Sequence, residues 1–299
     1  TGLQAAHLLI ALGAHAAAWA QAFAHARERV LYGGPIADLG GVRALLTDGI
    51  ARLALGLALG RRAARAAGRR GMAARDLTSA AKLLCPALLE TTVHEAGIVL
   101  GARSLMRQPG FARLRRDAPI FGIFDGSSQL QLDELWRHAR RWPLAPVDPA
   151  SSRAALWAPV DDFDRWADDP DGTLAAASPP ALLTALAERR PDLGLTRLAL
   201  LARAVVPAAA AAPAQPLRFA VSEAAAWCVA FAALADRVDA TDDPLLTAAL
   251  HQARAALAPR LAGLAARIGA DTGLIADAAG HDDAVAVTWA ALGEAFPPS

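Results

Sequence analysis

Long Ala- and Leu-rich segments separated by Gly and Pro clusters constrain the fold of this chain more than any other sequence feature. Leu3 to Leu31 runs without a break, and Gly33-Gly34-Pro35 then combines a helix stop with a restart. From Ile36 to about Arg70 the apolar residues recur at helical spacing. A third segment begins at Asp76-Leu77-Thr78-Ser79 and ends near Leu105. The pattern predicts three long helices.

Composition supports an all-α fold. Ala and Leu far outnumber Val, Ile and Thr, which argues against an all-β protein, and 55% hydrophobic residues with a net charge of +1 exclude a disordered chain. After the loop Phe124–Ser128, helical patterns continue over 129–142, 181–206, 219–238, 244–269 and 282–295. We therefore predict an all-α protein of two helical domains.

A change in composition divides the chain. Residues 143–180 combine seven prolines with a run of aspartates, which predicts a linker, and the Ala/Pro tract from Pro207 to Pro216 predicts a semi-rigid spacer. Residues 1–142 carry 19 Lys and Arg against 10 Asp and Glu, whereas residues 143–299 carry 11 against 19. The domains are accordingly predicted as 1–142 and 181–299. The positive charge of the basic half has two explanations. This half binds an anionic ligand, or its arginines simply lie on solvent-exposed helix surfaces.

The first 26 residues contain no charged side chain, a length that would span a bilayer. Gln and His residues are scattered through this segment, however, and polar groups are costly in hydrocarbon. We therefore expect a buried helix and no membrane span. Cys85 and Cys228 are too few for a disulfide scaffold and form no CxxC zinc motif, so a cytoplasmic location is expected.

Common site signatures are missing from the sequence. No P-loop precedes Lys82, no GxGxxG follows a strand, and no basic-aromatic pattern indicates nucleic-acid binding. His281-Asp282-Asp283 would be an unusual metal site, because adjacent helical residues do not face one point. A helix start explains that tripeptide better, and no metal is expected.

Four short motifs, taken together in their order and spacing, are more informative. They lie at the end of the first helix, in the third helix and near the end of the basic half: Arg29 with Tyr32-Gly33-Gly34-Pro35-Ile36, Ala81-Lys82, Arg116-Asp117-Ala118, and Ile123-Phe124-Asp125-Gly126-Ser127-Ser128-Gln129-Leu130-Gln131. In order and spacing they resemble the C-terminal helical domain of acyl-CoA dehydrogenases. The resemblance covers roughly residues 1–142 and implies an up-and-down helical bundle there. The acidic half resembles, in architecture alone, the extra helical domain of some long members, so a second helical domain is expected to follow the bundle.

The resemblance implies a flavin enzyme whose FAD lies where subunits meet. By position, Arg29 contacts the FAD pyrophosphate, Tyr32 sits beside the cofactor, and the Gly126-Ser127 turn and Gln129 approach it. A forked, permanently charged guanidinium suits a pyrophosphate. The alternative for Arg29 is a solvated arginine at a helix C-terminus, where a cation is favoured in any case.

Asp125 occupies the place where many members have the catalytic glutamate. A carboxylate there would remove the α-proton of an acyl thioester, but aspartate is shorter by one C–C bond, about 1.5 Å. Nitroalkane-oxidising relatives use an aspartate as the base. The alternative role for Asp125 is a turn residue that caps the following helix, and the sequence leaves both roles open.

Other positions depart from the family pattern. The glutamine expected four residues after Pro-Ile is Gly40, and the segment Gln-x-x-Gly-Gly-x-Gly falls on 98–104, where only Gly101 remains of three glycines. The alternative location of the base, near Leu3 and Gln4, holds no acid. The family's N-terminal helical and middle β domains have no counterpart in these 299 residues.

Three functions follow as hypotheses. The first is the C-terminal part or one subunit of an FAD-dependent acyl-CoA (or acyl-carrier-protein) dehydrogenase, which desaturates an acyl thioester between its α and β carbons. Its partners would be a chain that supplies the missing domains, in a homo- or hetero-oligomer, and an electron-acceptor flavoprotein. The second is a degenerate structural subunit without FAD. The third is a flavin oxidase or monooxygenase of the same superfamily.

Overall fold

Helices make up nearly all the regular structure of the described residues. The computed structural model describes residues 2–66, 72–106, 110–124, 126–142, 178–212 and 214–297. In the basic half the elements are α1 (Gly2–Glu28), β1 (Val30–Leu31), β2 (Gly34–Pro35), α2 (Gly40–Ala66), α3 (Met72–Leu100), α4 (Phe111–Asp117), α5 (Ile120–Ile123) and α6 (Ser128–Ala139). The acidic half contains α7 (Pro179–Arg189), α8 (Thr196–Ala211), α9 (Gln215–Thr241), α10 (Pro244–Arg267) and α11 (His281–Ala295).

The long helices α1, α2 and α3 form as predicted, with corrected ends. The first helix stops at Glu28 rather than Leu31, because Val30 and Leu31 pair with Gly34 and Pro35 in a two-residue antiparallel ladder. The third helix begins at Met72, four residues before the predicted Asp76, and a 3-10 turn over Gly101–Leu105 replaces its predicted last turn. The Gly33-Gly34-Pro35 segment therefore forms part of a β-hairpin and also separates α1 from α2.

The prediction of a semi-rigid spacer is wrong for the first half of the Ala/Pro tract. Helix α8 continues through Pro207 to Ala211, so residues expected to be extended are helical. Proline removes one intrahelical hydrogen bond, but four of the five alanines that follow it continue the helix, and alanine has the highest helix propensity of any residue. At the start of α7, Pro179 and Pro180 occupy the first helical turn, where a missing N–H costs nothing, and the Ser178 hydroxyl accepts from the Ala181 amide.

One apolar core runs through both halves of the described chain. The same buried cluster holds residues of α1, α2, α3 and α6 together with residues of α7 to α10; Leu55, Leu135, Leu186, Phe231 and Leu261 are among its fully buried members. Most of the predicted linker, 143–177, lies outside the described residues, and the division into two domains stays a prediction. The halves nevertheless share buried surface.

Polar groups also connect the halves. The Arg62 guanidinium on α2 forms an ion pair with the Asp236 carboxylate on α9, and the Asp236 side chain is 1% exposed. On α6, the Trp136 indole donates to the Ala209 carbonyl at 3.0 Å, and the Arg140 and Arg218 guanidiniums lie 4.9 and 4.3 Å from its ring centroid. A buried charge without its partner is energetically costly, so a pair such as Arg62–Asp236 determines which faces of α2 and α9 pack together.

Three helical stretches are long and apolar enough to cross a membrane by length and composition: His7–Glu28, Ala74–Leu105 and Gln215–Thr241. Most of the apolar window in Gln215–Thr241 is buried inside the bundle, whereas less than half of that in His7–Glu28 is buried. Length and composition alone would therefore allow a membrane span. The expectation that the chain has none stays a prediction.

Candidate functional site

A tight hairpin follows α1 and positions Arg29. Tyr32 and Gly33, the two loop residues, both have positive φ, +55° and +89°, and the Ile36 amide donates to the Arg29 carbonyl at 2.8 Å. Positive φ at both loop positions is typical of the type I′ turn, whose twist matches that of antiparallel strands. Gly33 takes this conformation without strain, whereas it is uncommon for a residue as large as tyrosine. The hairpin therefore fixes the backbone directly after α1.

Arg29 lies at an open groove of about 1090 Å³ between the ends of α1 and α3. Its walls are mainly aliphatic, and its lining is His25, Arg29, Leu31, Ile36, Leu39, Gly41, Val42, Leu45, Ile98, Val99, Leu100, Gly101, Ala102, Arg103 and Met106. The 98–104 segment, which matches the family's glycine-containing segment in position, thus meets Arg29. Its retained Gly101 has φ +57° and open space where a Cβ would lie, so its backbone is accessible.

The electrostatics of this groove are positive. Arg29 and Arg103 both line it, and no Asp or Glu is among its lining residues. Arg103 Nη1 lies 3.5 Å from His25 Nδ1. Burial lowers the pKa of His25, and the charges of Arg103 and Arg29 lower it further, while Glu28 opposes them. Both guanidiniums therefore disfavour protonation of this imidazole.

Other predicted residues near Arg29 lie outside the lining of the groove. Tyr32 is 93% exposed at the hairpin tip and does not line the groove found in the described part of the chain. Gly40 replaces the expected glutamine and opens α2, where it leaves open space around its Cα. Arg103 and His25 were missed at the sequence level. The only signal near that position was the retained Gly101, two residues before Arg103.

The second group of predicted residues surrounds the turn between α5 and α6. The buried Lys82 ammonium donates to the carbonyl of Phe121 at 2.8 Å and to the carbonyl of Phe124, so the family's Ala-Lys motif holds this turn in place. The Phe124 ring contacts the His7 ring edge-on, with centroids 4.6 Å apart. Lys82 thus acts through backbone carbonyls, a role that the sequence did not assign.

Asp125 itself lies outside the described residues, so neither its role as base nor its role as cap is tested. Gly126 follows with φ +108°, a conformation that favours glycine. Ser127 is the N-cap residue of α6, but its side chain forms no capping hydrogen bond. Ser127 and Gln129 are exposed, and Gln131 is buried. The roles assigned to Gly126, Ser127 and Gln129 stay predictions.

The two groups of predicted residues lie at opposite ends of α1. Phe124 contacts His7 near the start of the helix, and Arg29 follows its last residue, Glu28. The 21 residues between His7 and Glu28 correspond to about 32 Å at 1.5 Å per residue. A single copy of the chain therefore does not bring Arg29 and Tyr32 together with Gly126, Ser127 and Gln129.

A buried polar cluster connects α3 and α6. Asp76, predicted to open a helix, is instead buried; its carboxylate is 2.8 Å from His138 Nδ1 and accepts from the Trp142 indole at 2.8 Å. Burial raises the pKa of Asp76. The nearby charge of Glu134 raises this pKa further, whereas the hydrogen bonds from His138 and Trp142 lower it. This cluster attaches α6, the last helix of the basic half, to α3.

His281, considered above as part of a metal motif, has structural partners. It begins α11, and its Nε2 lies 3.0 Å from an Asp48 carboxylate oxygen and 3.0 Å from the Gln252 amide nitrogen. Among the described residues, no group of three or more His, Cys, Asp and Glu is placed to hold a metal ion. The His281 contacts anchor α11 to α2 and α10.

Comparisons with known proteins agree with this architecture. Residues 4–139 match the family model described as acyl-CoA dehydrogenase, C-terminal domain. No curated protein sequence matches the chain. A solved structure of an acyl-CoA dehydrogenase complexed with FAD, from Bacillus anthracis, is similar at 13% identity with a TM-score of 0.58; the match covers 99% of this chain and 52% of that one. The chain thus spans about half the length of this neighbour. The resemblance and the all-α fold class are confirmed.

The groove fits one end of FAD. Two guanidiniums without an acidic neighbour in the lining suit a pyrophosphate, and aliphatic walls suit the apolar faces of a nucleotide. No Asp or Glu lines the groove, so its walls offer no carboxylate for proton transfer. Arg29 and Arg103 would therefore hold the phosphates, and chemistry would take place elsewhere.

Proposed function

We propose, from the premise that residues 4–139 match the C-terminal domain of acyl-CoA dehydrogenases, that this chain is the C-terminal part or one subunit of an FAD-dependent acyl-CoA (or acyl-carrier-protein) dehydrogenase. The reaction is the α,β-desaturation of an acyl thioester. The observation that carries the proposal is that Arg29, the arginine of the family motif, lines a groove with a positive, acid-free lining.

The roles of the chain's own residues follow from their chemistry. Arg29 binds the cofactor's pyrophosphate, and Lys82 fixes the backbone on the N-terminal side of Asp125 through the Phe121 and Phe124 carbonyls. Asp125 removes the α-proton of the thioester, which requires partial desolvation so that its pKa rises toward the working pH. FAD, when bound, supplies an acceptor for the β-hydrogen as hydride.

The proposal includes partners. Since Arg29 and the turn after Phe124 are about 32 Å apart along α1, two copies or two chains must contribute to one complete site. The family's N-terminal and β domains would come from another part of the same polypeptide or from a second chain, and an electron-acceptor flavoprotein would reoxidise the cofactor. Two free, buried cysteines, Cys85 and Cys228, are consistent with a cytoplasmic location.

The test is the absorption spectrum of the assembly purified from its native source, followed by anaerobic addition of acyl thioesters. We expect a visible flavin band that bleaches on addition. Asp125→Asn should slow bleaching at least about 100-fold and leave the flavin bound, because only the base is lost. Asp133→Asn, at a partly exposed ion pair with Arg137, is the matched control and should bleach normally.

Each alternative function has its own outcome. A colourless oligomer that takes up no added FAD would support the degenerate structural subunit. Bleaching by nitroalkanes but by no thioester would support a flavin oxidase of the same superfamily. Normal bleaching by Asp125→Asn would refute the assigned base.

A further inference from the structure

We propose that α11, the last helix of the acidic half, fixes the hairpin that carries Arg29. Two arginines of the basic half act as positioning residues between these elements: Arg43 lies against Trp289, and Arg27 is bonded to Phe296. Neither aromatic residue lines the groove. The acidic half therefore acts on Arg29 without touching a ligand there. The relevance to FAD rests on the proposed function, whereas the order of the hairpin is a property of this chain.

The hairpin after α1 is too small to hold Arg29 by itself. Its ladder contains only two residues on each strand, and the side chains of Val30 and Tyr32 are exposed. A short isolated hairpin is marginally stable in water. The Arg29 side chain forms no hydrogen bond or ion pair with the described residues, so the backbone alone sets its position. The hairpin consequently depends on the elements packed against it.

The first such support is Arg43 on α2. Its Nε donates to the Ala37 carbonyl at 3.0 Å, and its Nη2 donates to the Asp38 carboxylate at 3.0 Å. Both acceptors belong to a 3-10 turn over Ile36–Asp38 that directly follows β2. The Ile36 amide in turn donates to the Arg29 carbonyl at 2.8 Å. Because the guanidinium is planar and rigid, its two bonds fix both the place and the orientation of this turn.

Trp289 on α11 determines where the Arg43 guanidinium lies. The Arg43 Cζ is 5.5 Å from the centroid of the Trp289 ring, within the range of a cation–π contact. Such a contact uses the face of the guanidinium, whereas hydrogen bonds use its edge, so one side chain makes both. Trp289 itself packs edge-on against Phe23 of α1, with ring centroids 6.0 Å apart. The position of α11 is thus transmitted to the turn after β2.

The second connection lies on the other side of the hairpin, at the end of α1. Arg27 precedes Arg29 by two residues, and its Nη1 donates to the carbonyl of Phe296, directly after α11, at 3.1 Å. The Arg27 guanidinium also lies 5.6 Å from the centroid of the Phe23 ring. A recess of about 600 Å³ is lined by residues of both the hairpin region and α11. Since this recess leaves the two elements incompletely packed, the arginines carry the connection.

The first experiment measures amide hydrogen exchange of Ile36 in the full chain by NMR, without a ligand. Arg43→Gln should accelerate this exchange at least about 10-fold, because both bonds to the turn are lost. Arg43→Lys should remain faster than the wild type, since an ammonium keeps the charge but not the fork. Arg113→Gln, which removes an equal charge at an exposed ion pair with Asp117, is the matched control. Wild-type exchange in Arg43→Gln would overturn the proposal.

Variants of α11 test the contribution of the acidic half. Trp289→Ala should accelerate the Ile36 exchange about 2- to 5-fold, the loss expected for a cation–π contact, and Trp289→Phe should restore most of it. Val287→Ala, at an exposed position on the same helix, is the matched control. The amide of the buried Phe231 on α9 should exchange at the wild-type rate in every variant, which separates a local effect from misfolding. Equal Ile36 exchange in Trp289→Ala and the wild type would refute the role of α11.

The FAD affinity of the purified assembly completes the test. Trp289→Ala should raise the FAD dissociation constant about 2- to 5-fold, and Trp289→Phe should bring it back toward the wild-type value, although residue 289 does not line the groove. Faster Ile36 exchange with an unchanged FAD affinity would overturn the positioning role. Faster exchange in a chain whose assemblies bind no flavin would support this inference and refute the proposed function only. An active flavoenzyme with wild-type Ile36 exchange in Arg43→Gln would refute this inference only.

Discussion

Replacement of His15 by glutamine should remove a defined part of the acid sensitivity of this protein. His15 is fully buried at the centre of α1, and its Nε2 is hydrogen-bonded to Thr92 Oγ1 on α3 at 2.8 Å. Thr92 Oγ1 also accepts from Arg52 Nε at 3.4 Å, and Arg52 is paired with Glu95. Burial first, and then the charge of Arg52, lower the pKa of His15 from 6.5 to about 3.

The sign and size of the effect follow from linkage. Below pH 6.5 the unfolded chain protonates His15 and the folded chain does not, so the free energy of unfolding falls as the pH falls from 6.5 toward 3. With a cost of about 1.36 kcal/mol per pH unit, the loss attributable to His15 between pH 8 and pH 5 is about 2 kcal/mol. Glutamine keeps an amide group near the position of Nε2 but does not titrate.

The assay is urea unfolding followed by circular dichroism at pH 8 and pH 5. The difference in the free energy of unfolding between these pH values should be smaller by about 2 kcal/mol in His15→Gln than in the wild type. His94→Gln, at an exposed position on α3, is the matched control and should retain the wild-type difference. A full wild-type difference in His15→Gln would show that His15 is not the buried neutral group inferred from its environment.

Two substitutions in the acidic half test packing at defined atoms. Gly194→Ala should destabilise the protein by about 1–3 kcal/mol in urea unfolding, because Gly194 has φ +61° and a Cβ there would lie 2.8 Å from Arg254 Cζ. Gly293→Ala, inside α11 with open space around it, should instead be neutral or stabilising, and equal effects of the two would contradict the reasoning. Asp236→Asn should lower the free energy of unfolding by about 3–5 kcal/mol, since it leaves the Arg62 guanidinium buried beside a neutral amide; a loss below 1 kcal/mol would mean that water reaches the pair.

The helices could be predicted from the sequence because periodicity and helix breakers are local signals. The errors arose where local signals compete. Gly33-Gly34-Pro35 ends a helix and also suits a hairpin, and only pairing with Val30 and Leu31 distinguishes the two. At Pro207 the following alanines outweigh the lost hydrogen bond.

The candidate site was only partly predictable. Arg29 was found through a short motif around it. Arg103 acquires its role only because the end of α3 lies beside the end of α1 in space, and Arg103 is 74 residues further along the chain than Arg29. The contact between His15 and Thr92 is likewise a product of helix packing, since the partners are 77 positions apart in the sequence. No spacing rule in one sequence encodes such pairs.

The shared core has a consequence for biosynthesis. Arg62 and its partner Asp236 are separated by 174 residues. At about 5–20 residues per second, α9 is synthesised roughly 9–35 s after α2. During this interval the face of α2 that α9 later covers has no native partner from the second half of the chain. On the ribosome, the nascent basic half would be a target for chaperones that bind exposed aliphatic helices.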